Sequence, residues 1–268
     1  MFMKLGFIGG GNMAFAIAGG VLAAELYTAN DMYVSDPNTE ALKKFKKLGF
    51  HTKESNSNAL QGDLIILAVK PFILPGVLAE LRDKYADTIQ DKVFITIAAG
   101  VEIAAIKEAL GFDAKVIRVM PNTPAMALCG MSVIAAEHLP VSQEEFTAAA
   151  DIFKAVGEVE ILPESLLNSV IAVSSSSPAY VFMMIEAMAD AAVRDGIARK
   201  AAYRLAAQSV MGSAKLMLET GKHPGELKDM VCSPKGTTIE AVKRLEECGF
   251  RSAIMAAMQA CTEKANSM

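Results

Sequence analysis

Histidine and cysteine are scarce in this chain, with 3 and 4 residues respectively among 268. Cys129, Cys232, Cys248 and Cys261 lie far apart with no Cys-x-x-Cys spacing, and the histidines are scattered. No metal-ligand set can be assembled from that pattern, and it points to a reduced, cytoplasmic setting. An excess of charge of one sign is also lacking. The formal net charge is -4 and there is no basic run, which argues against nucleic acid or an anionic membrane as partner. Repeats and low-complexity segments are absent too. One stretch, Leu5 to Ala24, lacks any charged residue and is long enough to suggest a membrane span. It contains Gly6, Gly9, Gly10, Gly11, Gly19, Gly20 and Asn12, so a glycine turn accounts for it better. No cleavage site of a targeting peptide stands out, and neither a membrane span nor a targeting signal is expected. With 52% hydrophobic residues, the chain can build a real core as one large or two modest domains.

The same stretch organises the chain. Leu5 to Ile8 reads as a buried strand, followed by Gly9-x-Gly11-x-x-Ala14 and a helical pattern running to Glu25. This is the dinucleotide fingerprint with Ala in its third place. Gly9 permits the tight turn, Gly11 lets a pyrophosphate approach the backbone, and Ala14 lets the helix lie close to the strand. The first free N–H groups of that helix, around Asn12 and Met13, then bind phosphate. A second strand, Asp31 to Ser35, ends in Asp36, about 20 residues beyond the turn, where the ribose-reading carboxylate is expected. A structural glycine turn in some other α/β protein is the competing reading.

From the start to residue 162, strand and helix patterns alternate, as in a doubly wound parallel sheet. Helices are expected at Thr39 to Leu48, Ile73 to Ala86, Val101 to Leu110 and Gln143 to Val156. Strands are expected at Asp63 to Val69, Lys92 to Ala98, Val116 to Met120, Met131 to Ala136 and Glu158 to Leu162. From Pro163 onward only helical spacing persists, with helices opening at Pro178, Arg199, Pro224, Thr237 and Ser252. The expected division is a dinucleotide-binding domain over 1–162 and an all-α domain over 163–268. Val181 to Ala192 carries only Glu186 and Asp190 as charges, and such a helix is normally buried. Met183, Met184, Met188, Met211 and Met217 fit packing rather than a cofactor box. A chain this small has little to cover that half except a second copy, so a homodimer through 163–268 is expected.

Open α/β sheets bind ligands beyond the carboxyl ends of their strands. The loops placed there are Gly9–Asn12, Ser35–Pro37, Ala68-Val69-Lys70-Pro71, Ala98–Gly100 and Met120–Pro124. Lys70 reads either as a ligand for phosphate, ribose or carboxylate, or as a solvent lysine at a strand end. Asn122 and Thr123, held between two prolines, read as positioned hydrogen-bond groups or as a rigid turn. Asp36 favours a free 2′-hydroxyl, hence NAD, whereas Ser35 with Lys43 or Lys44 nearby would suit a phosphate. In the helical half, Ser233-Pro-Lys-Gly-Thr-Thr238 leads into a helix start and forms a small anion site. By local physics, the threonines serve more simply as ordinary helix caps.

Arg118-Val-Met-Pro-Asn-Thr-Pro-Ala125, Leu67-Ala-Val-Lys-Pro71, Ser174–Tyr180, Ala187–Asp190, Glu219–Pro224, Leu227–Asp229 and Ser233–Ile239 together resemble pyrroline-5-carboxylate reductase. The resemblance covers essentially the whole chain in order. It implies a Rossmann-like α/β domain followed by an all-α dimerisation domain, in an enzyme that reduces the cyclic imine Δ1-pyrroline-5-carboxylate to L-proline with NADPH or NADH. It also implies a homodimer through the C-terminal helices, in some members assembled into a ring of dimers. The substrate carboxylate would be held by Ser233, Gly236, Thr237 and Thr238, with Thr238 matching the threonine that hydrogen-bonds the ring nitrogen. The cofactor set is then Gly9, Gly11, Asn12, Met13, Ser35, Asp36, Ala68, Val69, Lys70, Pro71 and Asn122, with no metal.

An imine nitrogen can arrive protonated, which suits a chain with no obvious His or carboxylate acid; His223, before Pro224, reads as structural. Two departures stand out. Ser175 occupies a place usually held by glycine, a source of strain if φ is positive there. Lys235 replaces the first glycine of a Pro-Gly-Gly-Thr turn, so it either strains the turn or adds a cation beside the carboxylate. A β-hydroxyacid dehydrogenase is one alternative, but Glu219 stands where its asparagine would follow the helix-borne Lys215. A non-catalytic dinucleotide-binding protein is another.

Overall fold

A computed structural model describes residues 3–267. It divides into two compact units, residues 3–176 with 262–267, and Ser177–Cys261.

The first unit is built on an eight-stranded sheet. In chain order its strands are β1 (Leu5–Ile8), β2 (Met32–Ser35), β3 (His51–Lys53), β4 (Leu64–Leu67), β5 (Val93–Thr96), β6 (Lys115–Met120), β7 (Gly130–Ala135) and β8 (Gly157–Leu162). Spatially the order is β3-β2-β1-β4-β5-β6-β7-β8. The chain thus moves outward from β1 on one side and returns to lay β4 on the other. The strand order reverses between β1 and β4, which makes their carboxyl ends the switch point of the sheet. The helices between strands are α1 (Asn12–Ala23), α2 (Thr39–Lys47), α3 (Leu74–Ile89), α4 (Ile103–Leu110) and α5 (Gln143–Lys154). β1, β4 and β5 are buried along their whole length, as strands covered on both faces must be. One core joins Leu5, Phe7, Leu64, Ile66 and Ile95 to Ile17 and Val21 of α1, Phe45 of α2, and Phe146 and Phe153 of α5.

Two features differ from the expected parallel sheet. β7 runs antiparallel to β6, because residues 121–129 are too few for a parallel crossover, which needs a dozen or more. β8 then pairs parallel with β7, with α5 as the connection. The edge strand β3 carries no apolar signal: it is three residues long and mostly exposed. It pairs with β2 in parallel.

A short helix α6 (Leu167–Val170) leads through a π-helical turn, Ile171–Ser175. The second unit holds α7 (Ser177–Arg194), α8 (Arg199–Thr220), α9 (Pro224–Val231), α10 (Thr237–Glu247) and α11 (Phe250–Asn266), the last of which ends in the first unit. No strand occurs beyond β8 among the described residues. α7 and α8 pack on each other, yet Phe182, Met183, Leu218 and Met255 are 64%, 70%, 81% and 71% exposed. Leu5 to Ala24 divides into β1 and α1. A different segment, Glu164–Arg194, is long and apolar enough to cross a membrane by length and composition, and a helix covered by a second chain has the same composition.

Arg118 of β6 is the largest fully buried side chain, 1% exposed. Its guanidinium donates to Glu164 Oε1 at 3.2 Å and to Asn168 Oδ1 at 2.9 Å. Glu164 Oε1 also accepts the Ile103 N–H at the start of α4, at 2.8 Å. The pair therefore ties β6, α4 and α6 together. We expect Glu164→Ala to cost about 3–5 kcal/mol, because it strands a buried cation. Urea unfolding should show a lowered midpoint, and the double change Arg118→Met with Glu164→Leu should recover most of the loss.

Candidate active site

Parallel pairing sets the geometry of the sheet's carboxyl edge. Ile8 is in register with Ser35 on one side and with Leu67 on the other, so Gly9, Asp36 and Ala68 follow in one row. Gly9 N–H donates to the Ser35 carbonyl at 2.8 Å, and Ala68 N–H to the Ile8 carbonyl at 2.8 Å. Gly9 has φ +104°, and a Cβ there would sit 2.7 Å from the Ala68 carbonyl oxygen, so glycine is required by the fold itself. Gly11 is different. A Cβ added there would meet no protein atom within 4 Å, and its φ of −67° is open to any residue. Gly11 is the N-cap of α1, with no side chain capping the helix. The first N–H groups of α1, from Asn12 and Met13, are thus left for a ligand, in front of open space. A phosphate fits that arrangement by charge and shape.

The β2 end carries a denser network than its sequence discloses. Asp36 Oδ2 accepts the Gly10 N–H at 2.7 Å and Oδ1 accepts the Asn38 N–H at 2.8 Å. Ser35 is fully buried, its hydroxyl lying 2.9 Å from Asn56 Oδ1 and 3.3 Å from the Phe7 carbonyl. The Ser35 hydroxyl, considered for a phosphate, is thus engaged by partners inside the unit. Asn56 in turn donates to Glu80 at 3.0 Å. Asn58, 5% exposed, donates to the carbonyls of Val34 and His51 at 3.0 and 2.9 Å. Both asparagines follow the polar strand β3, and the Asn-Ser-Asn run at 56–58 is their one signal in the sequence.

Ala68 and Val69 are half-buried past β4, and Lys70 is exposed. The Lys70 carbonyl accepts the N–H groups of Ile73 and Leu74 at 2.9 and 3.2 Å, so Lys70 and Pro71 belong to a turn that leads into α3, whose N-cap is Ile73. Asn122 uses both ends of its amide. Its Nδ2 donates to the Ser174 carbonyl at 3.0 Å and its Oδ1 accepts the Met131 N–H at 2.9 Å. It pins the loop after β6 to the π-helical turn. Ser175 does not have positive φ; its hydroxyl donates to the Pro121 carbonyl at 3.4 Å, so the strain weighed for it is absent.

The Ser233–Thr238 cluster lies in the second unit. Gly236 N–H donates to the Ser233 carbonyl at 3.0 Å, closing a turn with Pro234 and Lys235 at its centre. Lys235 has φ +58°, a left-handed conformation that costs a non-glycine residue about 1–2 kcal/mol. The strain expected of this lysine is present. The threonines do not cap α10. Gly236 is its N-cap, with no side-chain hydrogen bond, which leaves Thr237 and Thr238 in the first helical turn, with their hydroxyls uncommitted to capping. His223 Nδ1 accepts the Gly225 N–H at 3.1 Å as the N-cap of α9, a structural role. No group of three or more His, Cys, Asp or Glu able to hold a metal occurs among the described residues.

Comparison with known proteins bears on both units. Residues 164–268 match the family model described as pyrroline-5-carboxylate reductase dimerisation. Residues 4–100 match that described as NADP oxidoreductase, coenzyme F420-dependent. The chain is 47% identical to the pyrroline-5-carboxylate reductase of Escherichia coli (strain K12), covering 100% of this chain and 99% of that protein. A pyrroline-5-carboxylate reductase structure from Coxiella burnetii superposes with a TM-score of 0.90 at 34% identity, covering 100% of this chain and 98% of that one. A Plasmodium falciparum pyrroline carboxylate reductase with NADP bound superposes with a TM-score of 0.88 at 29% identity, covering 99% and 97%.

The two fingerprint glycines should respond differently to the same substitution. Gly9→Ala should lower the melting temperature, since backbone strain and a collision with Ala68 combine, at about 1–3 kcal/mol or more. Gly11→Ala should melt within a few degrees of the parent and lose dinucleotide affinity about tenfold or more, read by fluorescence titration. Equal loss of stability in both variants would contradict the assignment of Gly11 to the ligand.

Proposed function

The chain belongs to the pyrroline-5-carboxylate reductase family, and from that membership we propose which of its residues carry the reaction. It reduces Δ1-pyrroline-5-carboxylate to proline with a nicotinamide dinucleotide, in proline biosynthesis. The observation that carries the residue assignment is the uncapped start of α1, with open space at Gly11 and the tight Gly9 turn before it. The N–H groups of α1, from Asn12 and Met13, would hold the pyrophosphate of NADPH or NADH. Asp36 shapes the turn through Gly10. Ala68, Val69, Lys70 and Pro71 would line the cofactor's path, with Asn122 fixing the neighbouring loop.

When bound, the reduced dinucleotide supplies the hydride that the imine carbon accepts. The chain's own contribution is to hold and orient, which accounts for most of the barrier lowering in such a reaction. The Ser233–Thr238 turn offers the carboxylate the free N–H groups at the start of α10 and the hydroxyls of Ser233 and Thr237. Thr238 orients the ring nitrogen and relays a proton. A nitrogen that arrives protonated needs no strong acid, consistent with the absence of a histidine or carboxylate in that turn. Lys215, the lysine weighed for a β-hydroxyacid dehydrogenase, forms an exposed ion pair with Glu219 at 3.5 Å, as a solvated helix face would.

We place the dimer interface on the apolar faces of the helices beyond residue 163. Support comes from the family match to dimerisation over 164–268 and from the exposure of Phe182, Met183, Leu218 and Met255. A ring of dimers, as the family resemblance implies for some members, would be built from that dimer. No disulfide joins Cys129, Cys232, Cys248 or Cys261, in keeping with a reduced cytoplasm.

Purified protein should consume NADPH or NADH, measured at the reduced-nicotinamide band, only when pyrroline-5-carboxylate is added. Thr238→Ala should lower kcat roughly 10- to 100-fold, the worth of a lost hydrogen bond to a charged group, and leave dinucleotide affinity within about twofold. Parallel loss of both would make Thr238 a fold element. Sedimentation should give at least twice the chain mass, and Leu218→Asp should shift the distribution toward monomer.

A further inference from the structure

Three side chains near the end of β2 are the candidates for meeting a cofactor phosphate: Ser35, Lys43 and Lys44. The structure separates them. Ser35 is buried and bonded inward. Lys43 is drawn to Glu40 in an ion pair of 2.6 Å along the exposed side of α2. Lys44 alone of the three turns toward the fingerprint. Its ammonium donates to the Gly11 carbonyl at 3.2 Å and lies over two aromatic rings, 4.9 Å from the centroid of Phe15 and 5.4 Å from that of Phe45. Those rings pack edge to face, 5.3 Å apart, and form a fixed shelf between α1 and α2. The cation is thus held in place before any ligand arrives.

We propose that Lys44 is the residue that selects NADPH, by taking the 2′-phosphate of its adenosine ribose, and that Asp36 serves the turn instead of reading the ribose. This rests on the dinucleotide reading of the Gly9–Met13 turn and adds the cofactor preference to it.

A carboxylate at the end of the second strand favours NAD when its oxygens are available to the ribose hydroxyls, whereas a cation at that place accommodates the 2′-phosphate. Here both oxygens of Asp36 already accept main-chain N–H groups, from Gly10 and Asn38. Lys44 has one acceptor, the Gly11 carbonyl, and an ammonium carries three donors. Burial lowers the Lys44 pKa from its ordinary value, and Asp36 acts in the opposite direction, so the two charges are close enough to feel each other.

Calorimetric titration of the full chain with 2′,5′-ADP and 5′-AMP tests this without any turnover, because the probes differ only by the 2′-phosphate. The parent protein should bind 2′,5′-ADP about tenfold or more tightly than 5′-AMP. Lys44→Met should bring the two probes within about twofold of each other and leave 5′-AMP unchanged, while Lys44→Arg should keep most of the difference. Lys44→Gln serves as a second neutral variant, and unchanged melting shows that the fold is intact. In the reductase assay, Lys44→Met should raise KM for NADPH about tenfold and leave KM for NADH within about twofold. Equal weakening of both probes would place Lys44 at the pyrophosphate, and no change would remove it from the ligand; either result overturns the proposal. Failure of the parent protein to bind NADPH, NADH or either probe would instead overturn the dinucleotide reading beneath it.

Discussion

Main-chain pairing at the carboxyl edge of β1, β2 and β4 is the constraint on which the rest of the first unit depends. Parallel strands advance in step, so the register that pairs Ile8 with Ser35 and Leu67 also lines up the three residues that follow. The Gly9 turn fits only because Gly9 has no Cβ, since one would stand 2.7 Å from the Ala68 carbonyl oxygen. From that turn α1 starts with Gly11 as its N-cap and no side chain capping it, an end suited to an anion by its main chain alone. Asp36 reaches back to Gly10, so the second strand's end braces the first strand's turn.

The polar groups around this edge divide into those that build it and those left over. Ser35, Asn56, Asn58, Asp36 and Asn122 each use their side chains on main-chain or side-chain partners within the first unit. A buried donor or acceptor without a partner is costly, and this network avoids that cost at the point where the sheet ends and the loops begin. Lys44 remains, supported on its aromatic shelf. In the second unit the division is simpler: Lys235 tolerates a left-handed conformation so that Gly236 can start α10 with its N–H groups free.

Much of the fold was legible from the sequence because its signals are local. Continuous apolar runs mark β1, β4 and β5, glycine and proline mark the helix ends, and the loss of strand pattern after Pro163 marks the all-α half. β3 was not legible, since three polar residues on an edge carry no hydrophobic signal. Nor was the antiparallel turn of β7, which follows from the shortness of the loop before it. The π-helical turn at Ile171–Ser175 reads in sequence as ordinary helix and serine-rich loop, and only hydrogen bonding distinguishes it.

The sequence by itself determined the family, the order of strands and helices in the α/β half, and the residue types available to a dinucleotide and a small carboxylate. These depend on neighbours a few residues apart, or on motifs read in order. Tertiary structure alone decided which polar side chains remain free. Ser35 and Asp36 look like ligands in the sequence, and in the structure their side chains also bond to Phe7, Asn56, Gly10 and Asn38, partners brought to them by the fold. Lys43 and Lys44 look alike in the sequence, and only the fold separates them: Lys43 pairs with Glu40, whereas Lys44 turns to the Gly11 carbonyl because α1 and α2 set Phe15 and Phe45 beneath it. Hydrogen-bond commitment is a property of spatial neighbours, and no local pattern records it.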